Sequence, residues 1–232
     1  MKKVKNPGLI NQYIEKYQLK NILGEGLLSE LELFKYEKGE KVCNNGDYLT
    51  YLFFLVKGKL KIFTTLENGR SILLRFYNPL NIIGDMEVFT DYRVRFNVEA
   101  LNEVYLFGLP FKIINHDQFD NPDFLRFLIK QLSYKLYTNS ITNTINILYP
   151  VETRFANYLI SIFKDENNSF SVEEIRTDKL TEIADLLGTS YRHLNRVISN
   201  LMNEEIITRK KGTLVIKDLD KLKSLASGNL YE

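Results

Sequence analysis

The stretch Leu180–Ile207, LTEIADLLGTSYRHLNRVISNLMNEEII, decides how the rest of this 232-residue chain is understood. Leu180, Ile183, Ala184 and Leu187 recur at helical spacing in its first half, and Leu194, Val197, Ile198 and Leu201 do so in its second. The spacing predicts two helices whose apolar faces pack on each other. Between them stand Gly188, Thr189 and Ser190. Glycine can end a helix in the left-handed conformation without a Cβ penalty, and a serine hydroxyl can cap the next helix by accepting from an orphan N–H. The order small residue (Ala184), glycine (Gly188) and aliphatic residue (Leu194) is what two closely crossing helices need, and it predicts a helix-turn-helix.

The second helix carries Tyr191, Arg192, His193, Asn195, Arg196, Ser199 and Asn200 largely off its apolar stripe. Such a donor-rich face is either an ordinary solvated surface or one that reads base edges and holds phosphates. The turn favours the second, because it presents the N-terminal residues of this helix to a major groove. A wing comes next over 206–216, with Lys211-Gly212-Thr213 as its tip and Lys210 beside it. From Val151 onward the chain holds 12 Lys/Arg against 13 Asp/Glu, so this part is not basic as a whole. Within 189–211, however, Arg192, Arg196, Arg209, Lys210 and Lys211 face only Glu204 and Glu205, with His193 in addition. Positive charge is therefore local, as a DNA footprint requires.

Composition narrows the alternatives. A hydrophobic content of 44% with 26% charged residues is that of a globular protein, and a net charge of +2 says little about partners. The lone Cys43 rules out an intrachain disulfide and an all-cysteine zinc or iron–sulfur site, and suits a reducing cytoplasm. Beside Val42 on a strand it is either a redox thiol or a small buried hydrophobe. The N-terminal residues lack the apolar core of a signal peptide, and no run reaches the ~18–20 apolar residues of a membrane span. No glycine-rich phosphate loop, nucleophile elbow or metal-ligand cluster occurs, so no catalytic residue and no metal site are assigned.

Along the chain, residues 1–28 predict a short amphipathic helix after Pro7 that packs on the neighbouring domain. From about Leu31 to Pro110 the pattern becomes short β-type runs (LELFKYE, EKVC, YLFFLVKG, KLKIFTTL, RSILLRFY, VRFNVEAL, VYLFGLP) broken by turn signals, which predicts an antiparallel sandwich or barrel with an apolar interior able to hold a ligand. A short helix is expected over about 111–119. A long one is expected from Asn121-Pro122 to about Tyr149, carrying Phe124, Phe127, Leu128, Leu132, Leu136, Tyr137, Ile141, Ile145 and Leu148. That stripe is either buried within one subunit or paired with a second copy, and pairing is favoured because the stripe exceeds what one small domain covers. Pro150 marks a boundary or hinge. After it come a helix over about 151–164, a polar loop over 165–169, the helix-turn-helix with its wing, and a last helix over about 218–226.

This order of parts resembles the Crp/Fnr superfamily of transcription regulators, and KGKLKIFTTLENGR with SYRHL is most similar to its YeiL-type branch. Gly58, Asn68-Gly69-Arg70, the IGDMEVF run at 83–89, Val151-Glu152-Thr153-Arg154-Phe155 and the 180–201 block carry the resemblance. It implies an α+β fold: residues 1–120 as an N-terminal segment with a cyclic-nucleotide-binding-type β-roll, 121–149 as a dimerisation helix, and 150–232 as a winged helix-turn-helix. It also implies a cytoplasmic homodimer on a palindromic double-stranded operator, with RNA polymerase as a further partner. In the DNA-reading set, Arg196 is retained for a base edge or a phosphate, while Arg192 stands where the family has a glutamate. Thr189, Ser190, Tyr191, His193, Asn195, Lys210 and Lys211 complete that set.

The effector position implied by the resemblance comprises Gly84, Asp85, Arg93 and Arg95. Asp85 replaces the family's glutamate, and Arg95 is followed by Phe96 where nucleotide binders have Ser or Thr, so the cyclic-phosphate clamp is incomplete. Arg93 and Arg95 either hold another anionic effector or are solvated charges. Iron–sulfur ligands are lacking, and His116 and His193 are poorly placed for haem, so no cofactor is expected. The competing expectation is a ligand-binding or protein-interaction module whose winged helix does not bind DNA; retention on heparin and salt-dependent binding to random DNA separate the two.

Overall fold

The computed structural model describes residues 1–114, 121–163, 175–176, 179–210 and 212–226, of which 141–147 and 175–176 by their backbone alone. The elements are β1 (Lys2–Val4), α1 (Pro7–Lys16), α2 (Leu19–Leu28), β2 (Glu32–Tyr36), β3 (Lys41–Cys43), β4 (Tyr51–Lys57), β5 (Leu60–Thr65), β6 (Ser71–Tyr77), β7 (Ile82–Ile83), β8 (Asn97–Ala100), β9 (Val104–Pro110), α3 (Pro122–Leu148), α4 (Val151–Phe163), β10 (Ile175–Arg176), α5 (Leu180–Leu186), α6 (Tyr191–Asn203), β11 (Ile207–Lys210), β12 (Thr213–Ile216) and α7 (Leu219–Leu225). The fold is α+β: a β-rich N-terminal domain, a long helix and a C-terminal helix-turn-helix. Residues Met1–Ile62 with Tyr77–Tyr137 group as one unit, and Phe63–Phe76 with Thr138–Glu232 as a second.

Two antiparallel-paired sheets build the β-roll, in the orders β1-β2-β9-β4-β7 and β3-β8-β5-β6. Strand β4 explains why YLFFLVK is a continuous apolar run: its five central residues are all buried. Leu52, Phe54 and Val56 join Leu19, Leu23 and Leu27 of α2 and Phe124 and Leu128 of α3 in one core cluster, while Phe53 and Leu55 alternate to the opposite face. With both faces covered, alternation of polar and apolar residues disappears. The expected packing of the N-terminal segment on the roll is met by α1 and α2. On the other face, the Phe34, Tyr51 and Phe53 rings pack with centroids 5.4–6.0 Å apart. They lie over Gly108, where a Cβ would come within 2.7 Å of Phe34 and 2.9 Å of Tyr51.

Asn121 caps α3, its Oδ1 accepting from the N–H groups of Asp123 and Phe124 at 3.0 and 3.2 Å, with Pro122 in the first turn. The helix then changes character. Phe124 and Leu128 are buried and Phe127 stacks on Phe54, but Ile129, Leu136 and Tyr137 are 61–71% exposed.

In the second unit α4 buries Phe155, Ala156, Leu159 and Phe163, and β11 pairs with β12 in register from Ile207↔Ile216 to Lys210↔Thr213. Asp218 caps α7 by accepting from Lys221 N–H at 3.0 Å. Several elements escaped the sequence patterns. Of the short helix expected over 111–119 the described residues hold a three-residue 3₁₀ turn, Phe111–Ile113; 115–120 lie outside the described residues, as does the 165–169 loop. Strands β1, β7 and β10 are too short to produce a period. Helix α2 is separated from α1 by Gln18 at φ +50° and kinked at Gly24, which blurs its helical repeat.

Candidate nucleic-acid interface

The turn between α5 and α6 is built by backbone chemistry. Gly188 takes φ +60°, its N–H donates to Asp185 O, and Thr189 N–H donates to Ala184 O, both at 2.9 Å. This pair of bonds is the Schellman closure that glycine permits. Ser190 then sits in extended conformation and its Oγ accepts from His193 N–H at 3.2 Å, starting α6. Leu194, Val197, Ile198 and Leu201 are buried as their spacing predicted. What α6 turns outward is Tyr191, Arg192, Arg196, Ser199 and Asn200, all exposed, with His193 and Asn195 half-buried.

Of the other DNA-set residues, Thr189 is half-buried, Ser190 and Lys210 are exposed, and Lys211 lies outside the described residues. A cleft of about 510 Å³ is lined by His193, Arg196 and Asn200 of α6 together with Glu152 and Arg154 of α4. Arg154 was not singled out for this surface from sequence. Its Nη1 donates to the Leu187 carbonyl at the end of α5, while its Nε is buried without a partner among the described residues. A guanidinium in the first turn of one helix thus ties down the last carbonyl of another. Only the VETRF run hinted at it.

The effector-type residues do not share one environment. Gly84 has φ +97°, and a Cβ there would stand 2.9 Å from Tyr51 O, so the chain approaches β4 too closely for a side chain. Asp85 is 4% exposed. Arg93 and Arg95, by contrast, are exposed: the Arg93 guanidinium lies 4.2 Å from the Tyr48 ring centroid and donates to Gly46 O at 3.2 Å. The partner of Asp85 is Lys135 of α3, at 2.7 Å, a residue the apolar pattern of the helix does not single out. Glu87 is also buried, one carboxylate oxygen has no partner among the described residues, and burial followed by the charge of Asp85 holds its carboxyl above the usual range.

Cys43 is 3% exposed on β3. Burial, and then the nearby Glu87 and Asp47, push its thiol up to about 12 from an ordinary 9.0. The folded state therefore keeps its proton to higher pH than the unfolded chain: this stabilisation is complete below about pH 9 and declines as pH rises toward 12. Dithionitrobenzoate at pH 8 should leave the native thiol unreacted and label it on addition of urea; labelling in native buffer at the rate of a free thiol would contradict its burial.

Among the described residues no group of three His, Cys, Asp or Glu could hold a metal, and no helix is long and apolar enough to cross a membrane.

This architecture, a β-roll, a long helix and a capped helix-turn-helix with a wing, is matched by comparison. The Cyclic nucleotide-binding domain family matches residues 33–116 and the Crp-like helix-turn-helix domain family matches residues 153–225. The chain belongs to the Crp/Fnr family of transcription regulators. It is similar to the Regulatory protein YeiL of Escherichia coli O157:H7, 28% identical over 198 residues that cover 85% of this chain and 87% of that protein. It is 23% identical to the cAMP-activated global transcriptional regulator CRP of Salmonella typhimurium over 83% of this chain and 92% of the relative. A transcriptional regulator of the Crp/Fnr family from Eubacterium rectale shares its fold, with a TM-score of 0.75 at 16% identity over 92% of this chain and 98% of that one.

Proposed function

We propose that this chain works as a cytoplasmic homodimer that binds a palindromic DNA site sequence-specifically and regulates transcription there, beside RNA polymerase. The observation that carries the reading is the two-sided α6. Its inner face is locked by four buried aliphatic residues, and the Gly188 turn and Ser190 cap leave its outer face of arginines, tyrosine and asparagines open. Arg196 takes a base edge, with guanine O6/N7 matching its fork, and Thr189, Ser190, Lys210 and Lys211 take mainly phosphates. Arg192, in place of a carboxylate that would accept from cytosine, alters the preferred sequence. Tyr191, His193 and Asn195 share the groove-facing end of the helix. Dimerisation is supported by the exposed Ile129, Leu136 and Tyr137 on α3. No cofactor is proposed. If an anionic effector acts at Gly84 and Asp85, it does so without Arg93 and Arg95 in their present exposed positions.

Arg196→Ala should weaken specific binding by about 1–3 kcal/mol while dimerisation is retained. A gel-shift titration at fixed salt reads this. Equal affinity of mutant and wild type would remove Arg196 from the reading role.

A further inference from the structure

Within the β-roll one buried polar contact is fully built, and it joins two elements that sequence patterns kept apart. The ammonium of Lys135 in α3 donates to both carboxylate oxygens of Asp85, at 2.7 and 2.8 Å, and to the carbonyl of Ile82 at 2.7 Å. Its charge also lies 5.0 Å from the Tyr77 ring centroid. A lysine ammonium has three N–H donors, and three acceptors meet them here. The two side chains are only 12% and 5% exposed. The aim of the carboxylate is fixed by the residue before it, since Gly84 lies too close to Tyr51 O for any Cβ.

Burial makes this contact stringent. An ion pair withdrawn from water is tolerated only when its remaining hydrogen bonds are met, and removing one partner leaves an uncompensated charge. A soluble molecule approaching Asp85 would have to displace an ammonium already holding it through two charge-assisted bonds. The segment Ile82–Asp85 is therefore fastened to the long helix by a group that belongs to the chain.

We infer that Lys135 is a built-in ligand of the β-roll: its ammonium commits Asp85 and fastens the roll to α3, so that the DNA-binding arrangement forms without a soluble effector at that carboxylate. Lys135 is a positioning residue, acting on DNA only through α3. The DNA part of this inference rests on the regulator reading; the fastening itself does not.

The test uses the full-length chain and Lys135→Ala, which deletes the equivalent of n-propylammonium. The variant should melt lower than wild type. Added n-propylammonium chloride should recover at least half of the loss, whereas potassium chloride at equal ionic strength should not. Binding to the selected operator should weaken by about tenfold or more and recover with the same amine. Lys135→Met, which fills the space with apolar atoms, should not respond to the amine.

The neutral pair Asp85→Asn/Lys135→Met should melt close to wild type yet bind operator weakly, which separates fastening from mere stability and stands in if Lys135→Ala fails to fold. Addition of cAMP should change wild-type binding by less than about twofold, since it has no open carboxylate to meet. Wild-type melting and DNA affinity in Lys135→Ala, an amine effect no larger than that of potassium chloride, or a tenfold tightening of wild type by cAMP would each overturn the inference. Should wild type retain no DNA at all, the regulator reading falls, and the amine-dependent melting still decides whether Lys135 fastens the roll.

Discussion

Leu136→Glu is expected to convert the proposed dimer into monomers and to weaken operator binding by about 10²–10⁴-fold, the range lost when two linked contacts become one. Leu136 is 71% exposed within the subunit, so a glutamate there meets water and leaves the subunit's own core intact. In a dimer paired through α3 the same carboxylate would be withdrawn from water beside apolar neighbours, without a cation to meet it. Light scattering reports the mass and a gel shift at fixed salt reports the affinity. Tyr92→Glu is the control: Tyr92 is 70% exposed but lies in the loop before β8, and its substitution should change neither. A Leu136→Glu protein that stays dimeric would show that α3 pairs through another face or not at all.

The second large effect concerns the roll itself. Gly58→Ala should cost about 2–6 kcal/mol, combining left-handed backbone strain with overpacking. Gly58 has φ +86°, and a Cβ there would fall on the backbone carbonyl of Glu103 and within 2.8 Å of Asn102 Oδ1. Neither can withdraw easily, because Asn102 Oδ1 already accepts from Lys59 N–H at 2.8 Å and Glu103 carries the ion pairs of Lys35 and Lys57. Gly69→Ala provides the comparison. Its φ is +79° but nothing lies within 4 Å, so only the backbone term of about 1–2 kcal/mol remains. Urea unfolding midpoints should fall at least twice as far for Gly58→Ala, and equal midpoints would contradict the close approach.

What the sequence made legible is whatever repeats or is locally determined. The apolar stripe of α6 and the Gly188–Ser190 turn were visible because each depends on residues within a few positions, and the structure places them as expected. The roll was visible through its strand runs and turn glycines. Lys135 was not: between Leu132 and Leu136 it looks like a solvated charge, and its partner stands 50 residues earlier. Arg154 was hidden for the same reason, because its acceptor is a backbone carbonyl 33 residues away, and carbonyls have no sequence signature. Arg93 and Arg95 illustrate the converse, since the family resemblance grouped them with Gly84 in one effector position while the loop before β8 leaves both of them exposed. Periodicity reports faces, and long-range pairing of single polar groups leaves no period to find.

The most direct test of the regulator reading is selection of bound DNA from a random double-stranded pool by the purified full-length chain. The expected product is a palindrome with half-sites centred about 10–10.5 base pairs apart, as two recognition helices on one face of the duplex require. Recovery of no enriched sequence, with retention on DNA that does not change with salt, would contradict it.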